Sequence, residues 1–260
     1  MAALHIARTA GVMRVEMARV EVHNAFDEAM IAEIDAAFAE AAGDEDVRVV
    51  VLAARGKAFS AGADIAWMQR QSLAAEDANV EDARRFAGML ERIATCPKPT
   101  IARVHGACMG GGVGLVCACD FALASTGARF AVSEARFGII PSVIAPYLIA
   151  AVGVRQAKRL ALGTAPVGAA EAMAIGLVHE VSDDDALEAR IAALVQQLRA
   201  AGPRAVAEIK SLYGRLAAAG IDRDVRELTA KTIARIRGTD EAREGFAAFL
   251  AKRAPRWAQD

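Results

Sequence analysis

Ile101-Ala-Arg-Val-His-Gly-Ala-Cys-Met-Gly110-Gly-Gly-Val-Gly-Leu-Val-Cys-Ala-Cys-Asp120 opens as a short apolar strand, crowds three adjacent glycines and continues as an apolar run of helical length. Glycine is favoured where backbone must approach a ligand or adopt a conformation other residues resist. At a strand-to-helix junction it exposes backbone N–H groups at the start of a helix. Those unpaired donors, with the helix dipole, favour negative charge. The junction therefore reads as a cradle for an oxyanion formed during a reaction. The competing reading is close strand–helix packing without chemistry. The dinucleotide fingerprint fails, because Leu115 stands where the last glycine after Gly110 and Gly112 belongs. The phosphate loop fails too: Gly106 and Gly111 have its spacing, but Gly112 replaces the lysine.

The chain has 260 residues, 55% of them hydrophobic, which fits one large domain or a domain with an appendage. Its 31 basic and 32 acidic residues leave a net charge of −1, so bulk electrostatics give no case for nucleic-acid binding. No apolar run is long enough to span a membrane. Cys96, Cys108, Cys117 and Cys119 form no C-x-x-C pair. They read as buried, reduced thiols of a cytoplasmic protein. His5, His23, His105 and His179 are scattered without metal-ligand spacing, so no metal site is expected. His105 reads as a structural histidine.

Leu4 to Arg8 and Val12 to Ala18 predict a hairpin. A polar loop, 19–27, precedes a helix from Asp27 to Ala42, where Met30, Ile31, Ile34, Phe38 and Ala41 recur at helical spacing. Val49 to Leu52 is a buried strand. The loop Arg55-Gly-Lys-Ala-Phe-Ser-Ala-Gly-Ala-Asp-Ile65 is a second place where N–H groups can face a ligand, with Asp64 as a helix cap. Residues 69–80 read as a mobile surface segment, 83–94 as a helix, and Phe121 to Ala124 and Arg129 to Val132 as strands. Short helices and turns are expected over 142–176, then a strand from Leu177 to Val181. Four helices follow, at 185–201, 204–218, 222–236 and 239–252. A soft boundary falls near Gly202-Pro203. Glu134, read from its neighbours alone, is a surface glutamate at a strand end. Burial beside the apolar Phe137-Gly-Ile-Ile-Pro141 would instead raise its pKa and suit it to proton transfer. Asp120 reads as satisfying backbone groups at a helix end.

Lys57-Ala-Phe-Ser-Ala-Gly-Ala-Asp-Ile65, His105-Gly-Ala-Cys-Met-Gly-Gly-Gly112 and Glu244-Gly-Phe-Ala-Ala-Phe-Leu-Ala-Lys-Arg253 together resemble the crotonase superfamily of enoyl-CoA hydratases and isomerases. The similarity covers nearly the whole chain in the expected order. It implies an α/β fold, a crotonase-like spiral of ββα turns over 1–201 with a helical C-terminal trimerisation region over 202–260, in homotrimers or hexamers. It also implies an acyl-CoA thioester substrate, with no nucleic acid or membrane partner. No separate cofactor is implied, coenzyme A being part of the substrate. By position, the backbone N–H groups of Ala63 and Gly111 become the pair that holds an enolate-like thioester oxygen. Preorganised donors of this kind are worth roughly 3 kcal/mol each in other enzymes. Ala63, Asp64, Ile65 and Ala66, with Gly111, become the substrate-binding set. Lys57 becomes either a CoA phosphate partner or an ordinary solvated lysine. Lys252 and Arg253 match a C-terminal basic pair of the family, or are an ordinary charged helix end.

Family hydratases usually carry two glutamates. Glu134 matches one; the other position holds Gly114. One acid alone would favour a Δ3–Δ2 isomerase, which needs a single shuttle base. Against that, Gly110-Gly-Gly-Val-Gly-Leu115, Glu21-Val-His-Asn-Ala-Phe26 and the stretch from Phe130 to Tyr147 resemble the bacterial methylglutaconyl-CoA hydratase branch, which also has that glycine. The reading is therefore a hydratase with Glu134, Ala63 and Gly111 as its catalytic set. Isomerase, another enolate-forming activity such as decarboxylation, and a catalytically silent acyl-CoA-binding protein are the alternatives. A distal carboxylate on the substrate would need a cation, for which Arg136 is the candidate.

Overall fold

The computed structural model describes residues 3–217 and 219–259. The hairpin forms as expected: β1 (Leu4–Thr9) pairs antiparallel with β2 (Val12–Met17). Asp27 then caps α1 (Glu28–Gly43), its carboxylate accepting the Met30 N–H at 3.0 Å. β3 (Val49–Ala54) is buried at every position, as a strand covered on both faces must be. Val50 and Leu52 join the main core, whereas Val49 and Val51 face a smaller one.

α2 (Ile65–Ser72) and α3 (Glu76–Thr95) replace the expected mobile segment. The first half of α3 is largely exposed and so shows little apolar periodicity. Its buried residues, Met89, Leu90 and Ile93, begin only after Phe86. Acidic Glu76 and Asp77 in its first turn favour the dipole there. β4 (Thr100–Val104), β5 (Ala107–Met109) and α4 (Gly111–Ala118) follow, then β6 (Phe121–Ser125) and β7 (Arg129–Ala131). α5 (Ala145–Gly163) is two short helical segments joined at Gly153, whose φ 72° and ψ 159° are not helical, so short helices fill this stretch as the sequence predicts. β8 (Val167–Gly168), α6 (Ala169–Ala174) and β9 (Glu180–Ser182) lead to α7 (Leu187–Arg199). The last strand starts at Glu180 rather than Leu177.

Six strands form one sheet in the order β1-β2-β3-β4-β6-β9, parallel except for the first pair. Three form a second, β5-β7-β8. A bridge between Ser60 and Cys108 links the loop after β3 to that second sheet. α1, α3 and α4 supply the main core on one face of the large sheet. Leu187, Ile191 and Val195 of α7 close the other. The mixed α/β class and the ββα succession agree with the sequence-based expectation.

α8 (Pro203–Leu216), α9 (Arg223–Arg237) and α10 (Asp240–Leu250) complete the chain. The expected end of the first of these, residue 218, lies outside the described residues. Lys210 of α8 pairs with Asp120, whose carboxylate also accepts the Thr100 N–H at 2.8 Å and its hydroxyl at 2.9 Å. Asp120 thus satisfies backbone, but at the start of β4. No helix among the described residues is long and apolar enough to cross a membrane.

Candidate active site

The first loop is built by strand geometry. Residues 19–27 lie beside the segment after β3, with Phe26 bridged in parallel to Ala63. The Phe26 N–H donates to the Gly62 carbonyl at 2.9 Å, and the Asp64 N–H donates to the Phe26 carbonyl at 3.0 Å. In a parallel ladder the residue between two such bonds points its own N–H to the opposite side. Ala63 is that residue. Gly62 (φ 90°) allows the turn, because an L side chain resists that conformation. Asp64 behaves as the predicted cap, accepting the Ala66 N–H at 3.0 Å and the Trp67 N–H at 3.3 Å. Burial opposes its ionisation, but those N–H groups and Arg19 hold the carboxyl below its ordinary range.

The second loop is the glycine junction. The Gly110 N–H donates to the Ala131 carbonyl at 2.8 Å, and the Val113 N–H donates to the Gly110 carbonyl at 2.9 Å. Gly111 begins α4, so it has no partner a turn earlier in that helix. Among the hydrogen bonds of the described residues, none has the Ala63 or Gly111 N–H as donor. The two loops press together: a Cβ on Gly62 would stand 3.0 Å from the Met109 carbonyl oxygen.

Glu134 lies not at an exposed strand end but in a 3-10 turn, Glu134–Phe137, that folds back over this junction. Its Oε1 is 3.0 Å from where a Cβ on Gly110 would be. Its Oε2 is buried without a hydrogen-bond partner. Burial raises the carboxyl's pKa, against the Glu134 and Ser133 N–H groups, which lower it. A carboxyl in this state exchanges protons more readily near neutrality than a solvated one.

These pieces line one cavity of about 580 Å³, in which Ala63, Asp64, Ile65, Ala66, Gly111 and Glu134 all take part. Its wall also includes Phe26, Trp67, Phe86 and Ile144, none of which was singled out from sequence. Phe26 and Phe86 form a tilted pair with centroids 5.4 Å apart. A Cβ on Gly111 would meet Phe26 Cζ at 2.3 Å. Apolar spacing marks such residues as core; their approach to the donors is a tertiary fact. Gly114 is closed off by Ile144, whose Cγ2 lies 2.4 Å from where its Cβ would stand. The space for a side chain at 114 is thus already filled with hydrocarbon.

Other candidates lie elsewhere. Arg136 is exposed and donates from Nε to the Thr164 hydroxyl at 3.0 Å; it does not line the cavity. Lys57 lines a second, polar cavity of about 620 Å³, with Arg14, Arg103, His105 and Glu188. Burial lowers the pKa of His105, which favours the neutral ring. In that form Nδ1 accepts from Arg103 at 2.7 Å and Nε2 donates to the Gly56 carbonyl at 2.9 Å. Arg253 forks onto Glu244 at 2.7 and 3.0 Å. Burial pushes the Cys117 thiol up to about 12 and the Cys108 and Cys119 thiols upward as well, so these are inert packing groups. Among the described residues no group of three His, Cys, Asp or Glu side chains is placed to hold a metal ion.

Comparison with known proteins adds four findings. A family model described as enoyl-CoA hydratase/isomerase matches residues 7–260. A putative enoyl-CoA hydratase of Thermus thermophilus is 36% identical over 214 residues, covering 82% of this chain and 84% of that protein. A trans-2-decenoyl-[acyl-carrier-protein] isomerase of Streptococcus mutans is 27% identical over 252 residues, covering 95% and 94%. Among solved structures, an enoyl-CoA hydratase from Shewanella pealeana superposes with a TM-score of 0.95 at 37% identity, covering 98% of this chain and 96% of that one.

Proposed function

The chain belongs to the enoyl-CoA hydratase/isomerase family, and from that premise we propose that it adds water reversibly across the double bond of a 2-enoyl-CoA thioester. One observation carries the reading: two acceptor-free main-chain N–H groups, Ala63 and Gly111, border the same apolar cavity as a half-buried carboxyl, Glu134. As water adds to C3, Glu134 takes its proton and the displaced π electrons move onto the thioester oxygen. The Ala63 and Gly111 N–H groups stabilise that charge. Glu134 then returns the proton to C2, and the carbonyl re-forms. One carboxyl suffices, and no separate cofactor enters. The substrate-binding role of Asp64, Ile65 and Ala66 belongs to the same reading, as does a cytoplasmic location with reduced cysteines.

A specific observation keeps isomerase as a second reading. Ile144 fills the space beside Gly114, so proton traffic falls to Glu134 alone. In that case Glu134 takes a proton from C2 and returns one at C4. Crotonyl-, 3-enoyl- and 3-methylglutaconyl-CoA assayed side by side separate the cases. Hydration of a 2-enoyl-CoA is the expected result. Isomerisation without water addition would replace it, and binding without turnover across the panel would leave an acyl-CoA-binding protein. The methylglutaconyl arm also tests the acyl group, since among the described residues that line the cavity there is neither Lys nor Arg to meet a distal carboxylate.

We further propose that the helical region 202–260 assembles the chain into trimers or hexamers. It leaves Tyr213 66%, Phe246 60%, Phe249 82% and Leu250 80% exposed, an apolar surface that further copies would cover. Sedimentation equilibrium should return three or six times the 27.3 kDa chain mass; a monomer would dismiss the assembly.

A further inference from the structure

We propose that Ser60 is a positioning residue that holds the two oxyanion donors in register. The inference rests on the oxyanion reading above and goes beyond it, because Ser60 does not line the cavity.

Ser60 is fully buried and stands where three segments cross. Its N–H donates to the Ala107 carbonyl at 3.0 Å, and its carbonyl accepts the Met109 N–H at 2.9 Å. These bonds lay the first loop along β5, which feeds the glycine junction. Its hydroxyl donates to the Asn24 carbonyl at 2.8 Å and accepts the Gly62 N–H at 3.1 Å. Asn24 is itself an anchor: fully buried, in the left-handed region (φ 54°), its side-chain amide donating to the Arg55 and Ala58 carbonyls at 2.8 Å each. On the far side, Ser60 Cβ lies 3.0 Å from where a Cβ on Gly112 would be.

One side chain therefore touches the residue before one donor and the residue after the other. Gly62 precedes Ala63; Gly112 follows Gly111. Removing the hydroxyl strands the Gly62 N–H and loosens the Asn24 carbonyl in a buried place, where an unmet polar group is costly. The loop relieves that cost by moving, and Ala63 moves with it. Catalysis that depends on aimed dipoles responds steeply to such shifts, since a displacement of about 1 Å can cost about 100-fold.

The test uses Ser60→Ala and Ser60→Cys in the full chain. Two measurements are made: hydration kinetics, and the absorption of a bound aryl-conjugated enoyl-CoA, whose band moves to longer wavelength as its carbonyl is polarised. Ser60→Ala should lower kcat by about 10- to 100-fold while KM stays within about 3-fold. It should also diminish the band shift. Ser60→Cys, which keeps a weaker donor of similar size, should fall between, and it decides the matter should the alanine variant not fold. A folded variant with unchanged kcat and the full band shift overturns the role of Ser60. A wild-type protein that binds the probe without any band shift removes the oxyanion reading, and the positioning role with it.

Discussion

Replacing Glu134 by glutamine is expected to lower turnover of a 2-enoyl-CoA by about 10²- to 10⁴-fold, the range general acid–base groups supply. Acyl-CoA affinity should survive, because the amide keeps the size and polarity of the carboxyl and both donors stay in place. The same substitution has a stability signature. Burial raises the Glu134 pKa in the folded protein, so the folded state holds this proton more tightly than the unfolded one. Stability from the group is then fullest at acid pH and declines as pH rises from the unfolded value through the folded one. Above its raised pKa the native carboxylate is a buried charge whose Oε2 has no partner. Glutamine removes that burden, so the variant should melt no lower than wild type at pH 7, and the gain should fade in acid. Active site and stability are opposed here, as they often are. Equilibrium binding, initial rates and melting across pH measure all three arms. Hydration at near wild-type rate in the glutamine variant would take Glu134 out of the reaction.

Which parts of this arrangement could be read from the chain follows from their physics. Strand alternation and uniform apolarity mark β1 to β3, and small residues after strands mark both loops that line the cavity. Those signals are local. For Glu134 the apolar neighbours Phe137-Gly-Ile-Ile-Pro141 are an ambiguous local signal; its place depends on a 3-10 turn folding over Gly110, a contact between segments apart in sequence. The wall built by Phe26, Phe86 and Ile144 is hidden for the same reason, since a buried aromatic looks alike in sequence whether it packs on a helix or on the cavity's glycine junction. Residues 76–82 of α3 carry no helical signal for the converse reason. Their exposed, charged turns lack the apolar repeat, and a favourable first turn is a weak mark by itself. Arg136 was a candidate through proximity in sequence to Glu134, but the 3-10 turn sends the two side chains apart.

A single methyl at Gly111 should damage catalysis and packing together. Its carbon would stand 2.3 Å from Phe26 Cζ and 3.0 Å from Phe86 Cζ, closer than atoms approach without something shifting. Phe26 is almost completely buried and cannot swing away into solvent. The first turn of α4 must therefore move, and under the proposed reading the Gly111 N–H moves with it, away from the thioester oxygen it would hold. Losing one such donor elsewhere costs about 10²- to 10³-fold in rate, and overpacking a tight site costs about 1–3 kcal/mol. Gly111→Ala should show both losses, in kcat and in denaturant midpoint. Phe26→Leu in the same chain makes room, so the pair should be more stable than the sum of the single changes implies, by about 0.5–3 kcal/mol for touching residues. The rate should recover less completely, because aim matters more to the reaction than space does to the core. Wild-type kcat in Gly111→Ala would mean that this amide never held the developing charge. Strict additivity of the two stabilities would mean that the ring does not bear on it.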